Sequence, residues 1–271
     1  MGSRRHVIVT AVFALFCAIF QLDAAEAATP APIRIAYVPP KNSEHTALYQ
    51  ELRDKKVLER VRDSLVGMRL PKQLTIKVEG CDGDVNASYD EDEKVVSICY
   101  EYLLYIQSLA HGLPPAAVAE GLTPENYVTG PFLEVVLHEL SHAVFDLKKV
   151  PVLGREEDAA DQVTAYLLLQ LGEQEARRTI ASIATMFASE AKETKLDFAN
   201  EHGLPAQRFY NLLCLSYGKD PKMFRDLVAR GFLPQARAEQ CGDEYRQVQF
   251  AVSRLMPDLK GSLKLGHPKA R

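Results

Sequence analysis

The segment that most constrains this chain is a run of apolar residues, Phe132-Leu133-Glu134-Val135-Val136-Leu137, which leads into His138-Glu139-Leu140-Ser141-His142 and continues through Ala143-Val144-Phe145. The five central residues form an HExxH motif. On a helix, residues four apart project from one face a turn apart, so the two imidazoles can reach a single metal ion. Glu139 lies between them and points to the side, where it can hold a water beside the metal and take its proton. Two ligands do not complete such a site, so a third donor is needed.

The third donor is expected in Gly154-Arg155-Glu156-Glu157-Asp158-Ala159-Ala160-Asp161, where the next amphipathic stretch begins. Glu157 follows His142 by 15 residues, enough for a short loop and a turn back into a second helix. Catalytic zinc sites commonly join two histidines to one carboxylate and leave a fourth position for water. Asp161, one turn after Glu157 on the same face, can accept a hydrogen bond from the free nitrogen of a ligand histidine and fix its tautomer. Glu156 is the competing carboxylate, and the register with Asp161 favours Glu157. Acidic residues are common in the first turn of any helix, so ExxxD gains its meaning only beside HExxH. The two motifs together resemble the gluzincin metallopeptidases.

Two further segments extend that resemblance. Asn86-Ala87-Ser88-Tyr89, followed by Val95-Val96-Ser97-Ile98, is similar to the edge-strand segment of neprilysin-type gluzincins. The resemblance implies that Asn86 and Ala87 contact the backbone of an extended peptide substrate. An edge strand with unpaired N–H and C=O groups is in any case a template for an added strand. The segment His202-Gly203-Leu204-Pro205-Ala206-Gln207-Arg208 matches the same family in spacing and order. There the histidine steadies the oxyanion and the arginine binds a substrate carbonyl, so His202 and Arg208 are expected to do the same. Where the family has an acid two residues before this histidine, the chain has Asn200; Glu201 or Asp197 could orient the ring instead. The resemblance spans scattered motifs between about residues 80 and 215. The chain is too short for neprilysin's large second domain. It is closer to a minimal gluzincin, and resembles a bacterial metallopeptidase family whose label rests on HExxH itself.

Composition frames these motifs. With 271 residues and 47 % hydrophobic content, the chain can bury a sizeable core. A formal net charge of −4 without a basic cluster argues against a nucleic-acid partner. Arg4-Arg5-His6, the apolar stretch Val7 to Phe20 and Ala25-Glu26-Ala27 read as a signal peptide over residues 1–27, too short in its apolar part for a spanning helix. Export to the periplasm or medium follows, with no stable membrane insertion after cleavage. Four cysteines then remain, and an even number in an exported chain suggests two disulfides. Of three possible connectivities, Cys81–Cys99 and Cys214–Cys241 are favoured because each closes one local excursion, worth about 3 kcal/mol apiece in the chain-entropy model.

The pattern along residues 28–258 predicts a single α+β domain. Ile33 to Val38 and Leu74 to Val78 read as strands. Glu44 to Val66 reads as one amphipathic helix, and Val85 to Tyr89 with Val95 to Ile98 as a hairpin. Tyr100 to Leu109 looks helical, Gly130-Pro131 starts the HExxH helix, and helices dominate from Glu156. Phe209-Tyr210-x-Leu212-Leu213 reads as a packed helix face. His45, His111 and His267 read as solvated or loop residues, and residues 259–271 as a loose basic tail. The resemblance implies a zincin-like fold, with a small mixed sheet whose edge strand lies over the cleft.

The expected function is a metallopeptidase with one Zn2+ per chain held by His138, His142 and Glu157, and with Glu139 as general base acting on a peptide or protein substrate. An amidase acting on non-peptide material would use the same site. A non-catalytic zinc-dependent binding protein on a protease-like scaffold is the other alternative; Glu139 argues against it, since a structural zinc has no use for a base.

Overall fold

The computed structural model describes residues 33–65, 67–119, 121–193, 196–261 and 263. The signal-peptide reading, His267 and most of the basic tail lie outside them. Among the described residues no helix is long and apolar enough to cross a membrane.

Four strands form one mixed sheet: β1 (Ile33–Tyr37), β2 (Leu74–Glu79), β3 (Ala87–Asp90) and β4 (Val95–Cys99), in the spatial order β1-β2-β4-β3. The first three neighbours run parallel, whereas β3 pairs antiparallel with β4, Ala87 opposite Ile98 and Tyr89 opposite Val96. β2 alternates strictly, burying Leu74, Ile76 and Val78, as a strand with one covered face should. The antiparallel β3 is an edge. Cys99 N–H donates to the Asn86 carbonyl, and because pairs alternate along an antiparallel ladder, the peptide groups of Ala87 and Tyr89 turn toward the open side.

Eleven α-helices are described: α1 (Thr46–Asp54), α2 (Val57–Ser64), α3 (Tyr100–His111), α4 (Pro115–Ala119), α5 (Pro124–Tyr127), α6 (Thr129–Lys148), α7 (Glu156–Leu168), α8 (Glu173–Glu193), α9 (Pro205–Lys219), α10 (Arg225–Ala229) and α11 (Gln235–Leu255). The single helix expected over Glu44 to Val66 is instead two. Lys56 adopts a left-handed conformation (φ 50°) between them. The step from Leu52 to Leu58 does not fit helical spacing, and the break brings Leu48, Leu52, Leu58 and Val61 all into the core.

Helix α6 crosses the middle of the molecule, packing on β3 and β4 on one side and on α7 and α8 on the other. Between Gly130 and Leu147 every residue is buried except His142 and Asp146. These two lie one turn apart, so the helix has a single open line, and it runs past β3. The Tyr89 hydroxyl donates to Asp146 at 2.7 Å and Lys94 Nζ reaches the same oxygen at 2.7 Å, tying the edge hairpin to α6.

The helical part is held by close approach and by one of the disulfides. A Cβ at Gly218 would lie 2.0 Å from the Cys241 carbonyl oxygen, so only glycine lets α9 and α11 meet there. The bonded pairs are Cys81–Cys99 and Cys214–Cys241, the two local pairings; the second joins α9 to α11. Three further readings need correction. His45 is not solvated but buried against the Tyr100 ring, 5.5 Å between centroids. Tyr210 is not in the core; it is 41 % exposed, because the α9 face that packs is carried by Leu212 and Leu213. Leu259 and Leu263, at the head of the expected loose tail, are buried.

Candidate metal centre

Two helices create the site. α6 carries His138, Glu139 and His142, and the first turn of α7 carries Glu156 and Glu157. Lys149, left-handed at the end of α6 (φ 52°), stops that helix, and the loop through Gly154 (φ 94°) brings the chain back beside it. The acidic start of α7 therefore faces the histidines.

Nε2 of His138 lies 3.2 Å from Nε2 of His142 and 2.9 Å from Oε2 of Glu157. The third side of this triangle, His142 Nε2 to Glu157 Oε2, is 3.4 Å. Ligands held tetrahedrally about 2.0–2.1 Å from a zinc-sized ion stand about 3.3 Å apart, so these donor atoms already have the mutual spacing of a ligand set. His202 Nε2 reaches the same Glu157 oxygen at 2.8 Å, and its ring stacks on His138 at 5.6 Å between centroids. One donor atom each from His138, Glu157 and His202 falls within 4.8 Å of the others, a grouping suited to a metal.

The outer nitrogens of both histidines on α6 are also engaged. His138 Nδ1 is 2.9 Å from Asp161 Oδ1, and His142 Nδ1 is 2.8 Å from Glu156 Oε1. Each ring is thus held at its far nitrogen by a carboxylate, the arrangement that orients metal-binding imidazoles. Glu156 and Glu157 divide the work: Glu157 stands among the inner nitrogens, Glu156 on an outer one.

Burial and neighbouring charge set the proton affinities of these groups. Burial disfavours a charged His138, but hydrogen bonds to Asp161 and Glu157 outweigh it and push the ring up to about 10. Burial would raise Glu157 as well, yet His138, His142 and His202 around it hold the carboxyl well below the usual range. Glu139 shifts the other way: burial raises it, only partly opposed by His138 and His142. It is 8 % exposed and lies outside the donor triangle.

The protein belongs to a metallopeptidase family. Residues 37–256 match the model of DUF4344, described as "Putative metallopeptidase". No curated protein and no solved structure matches the chain. The matched span contains the whole sheet apart from the first residues of β1, both site helices, His202 and both disulfides.

Asn86 is exposed just before β3, whereas Ala87, the first residue of β3, is buried; β3 packs next to α6. Arg208, expected to touch substrate, turns inward instead: Nε and Nη2 bond Asp161 at 2.7 and 2.6 Å, Nη2 bonds Glu134 at 2.8 Å, and the guanidinium lies 4.4 Å from the Phe187 ring centroid. Its side chain is 16 % exposed. A buried carboxylate, Glu134, and a half-buried one, Asp161, require a cation, and α9 supplies it. Neither Glu201 nor Asp197 is seen to orient His202; the Asn200 side chain accepts instead from the His202 backbone N–H at 2.9 Å.

Sequence reasoning passed over Glu134 and the outer role of Glu156. Glu134 had a signal: a carboxylate inside an apolar run, one turn before His138, must find a partner once buried. A mainly apolar cavity of about 300 Å³, bordered by α8, α9 and α10, contains none of these residues.

Proposed function

We propose that the protein is an exported zinc metallopeptidase of the gluzincin type on a zincin-like fold. In this reading His138, His142 and Glu157 hold one Zn2+, and Asp161 and Glu156 set the two imidazoles. The observation that carries it is the convergence of three donor atoms, 2.9 to 3.4 Å apart, next to a buried glutamate that takes no part in their contacts. When bound, the ion supplies a Lewis acid for the scissile carbonyl and acidifies an adjacent water.

The chain's own groups carry the remaining roles. Glu139 takes the proton of the attacking water and returns it to the leaving amine; burial raises its affinity for that proton. His202, 41 % exposed at the side-chain level and with Nε2 2.8 Å from Glu157, would donate to the oxygen on which negative charge develops. The outward peptide groups of Ala87 and Tyr89 offer hydrogen bonds to an extended substrate laid along β3. Two disulfides suit the oxidising compartment that the expected signal peptide implies.

The test is a pair of measurements on the mature protein: zinc content, and cleavage of a peptide library with and without chelator. Glu139→Gln should keep the metal and the fold yet lower turnover by roughly 10²–10⁴-fold. His202→Ala should keep the metal too and lose roughly 10²–10³-fold. A zinc-loaded wild type that cleaves no peptide would end the peptidase reading in favour of a zinc-dependent binding protein.

A further inference from the structure

The carboxylate behind His138 does not stand alone. Asp161 Oδ1 is shared between His138 Nδ1 at 2.9 Å and Arg208 Nη2 at 2.6 Å, and Asp161 Oδ2 takes Arg208 Nε at 2.7 Å. The guanidinium thus grips both oxygens of one carboxylate, fixing its plane and the direction in which Oδ1 faces the imidazole. The same Nη2 then bonds Glu134 at 2.8 Å, and Glu134 lies on α6 one turn before His138. The circuit runs from α6 through α9 and α7 and back to α6, with the Phe187 ring packed against the guanidinium at 4.4 Å. The site's other outer carboxylate has a different setting: the Glu156 side chain is 49 % exposed.

We infer that Glu134 and Arg208 are positioning residues that set the strength with which His138 binds a metal ion, by holding Asp161 at a defined angle and charge. This inference rests on the zinc reading above. Arg208 alone would steady Asp161 but would also draw off its negative charge, leaving a poor acceptor for the histidine. Glu134 shares that positive charge. With both carboxylates ionised, they and the guanidinium sum to one net negative charge behind the ring, and that charge favours an imidazole bound to a cation. Arg208 acts on His138 through Asp161, and Glu134, which also lies near enough to His138 for its charge to be felt directly, acts on Asp161 through Arg208.

The test is zinc affinity measured by competition with a chromogenic chelator, independent of turnover. Glu134→Gln and Arg208→Lys keep the side-chain size or charge, but the first lacks the counter-charge and the second cannot grip both oxygens. Each should weaken zinc binding by roughly tenfold, and Arg208→Met by nearer 100-fold, the range for partners of metal ligands. The double variant Glu134→Met/Arg208→Met separates positioning from scaffolding. Replacing a buried ion pair by apolar groups is often neutral or better for stability. This variant should therefore keep the thermal stability of the metal-free protein while its zinc affinity stays low. The His138 Nδ1 proton resonance of the zinc-loaded protein should move in Arg208→Lys, which a purely structural role would leave in place. Zinc affinity within twofold of wild type in Arg208→Lys, or wild-type affinity in the folded double variant, overturns the inference. A wild type that binds no zinc fails the earlier reading, and the two failures are distinct.

Discussion

His138 and His142 are the same residue one helical turn apart, yet their surroundings differ sharply. His138 is 3 % exposed, and behind it stands Asp161, itself gripped by Arg208. His142 lies on the one open line of α6, and behind it stands Glu156, about half exposed. One imidazole is set by a buried ionic network, the other by a single carboxylate in contact with water. The difference teaches that identical residues of one motif need not be equally constrained: in the proposed zinc reading, the rigid ring would define the position of the ion and the looser one would adapt as substrate enters.

Removing either ring is the coarsest way to test this contrast. His138→Ala and His142→Ala each delete a proposed ligand, so zinc affinity should fall in both by more than the roughly 100-fold that bounds losses from the surrounding groups. Chelator competition measures it, and full zinc occupancy in either variant would remove that residue from the ligand set. Asp161→Asn comes next. It keeps the shape behind His138 but takes away the charge, and zinc affinity should fall by roughly 10–100-fold. Glu156→Gln should cost well under tenfold in the same assay, because an exposed pair contributes only about 0–1 kcal/mol. Equal losses in these two variants would erase the distinction between the buried and the open side.

The smallest effect concerns Asp146, the other residue on the open line of α6. Burial would raise its carboxyl, but bonds from Lys149, Lys94 and Tyr89 hold it well below the ordinary range. A carboxyl depressed in the folded state adds stability that is present above the ordinary carboxylate pKa of about 3.9 and is lost as pH falls toward the depressed value. Thermal unfolding between about pH 5 and pH 2 should therefore show a steeper acid loss in wild type than in Asp146→Asn. Parallel curves would mean that the hairpin's attachment to α6 does not depend on that charge.

Much of this could be read in advance where the code is local. HExxH places two imidazoles together because the helix repeat does so by itself, and the apolar residues around the motif guarantee a helix in the core. The two cysteine pairs close single excursions, so short range selects them. The strand at Leu74 to Val78 followed from alternation and the hairpin from two short runs around an acidic turn, whereas the mixed sheet was implied by the family resemblance. Failures came where a distant partner decides the outcome. Arg208 matched a substrate-binding arginine in spacing, but its direction depends on Glu134, 74 residues earlier, and Asp161, 47 earlier. His45 looked like a solvated residue at a helix entrance until Tyr100 covered it. Tyr210 looked like core because its neighbours are.

What the sequence determined by itself is the list of groups available for chemistry and the turn-by-turn register that pairs His138 with His142 and Glu157 with Asp161. Covalent spacing and helix geometry are enough for that. Only the tertiary structure decided which glutamate meets the inner nitrogens, which meets an outer one, and that Arg208 serves the carboxylates of Glu134 and Asp161 rather than solvent. Those outcomes depend on how α6, α7 and α9 pack, because a buried charge is tolerated only where another helix brings its counter-charge within hydrogen-bonding distance.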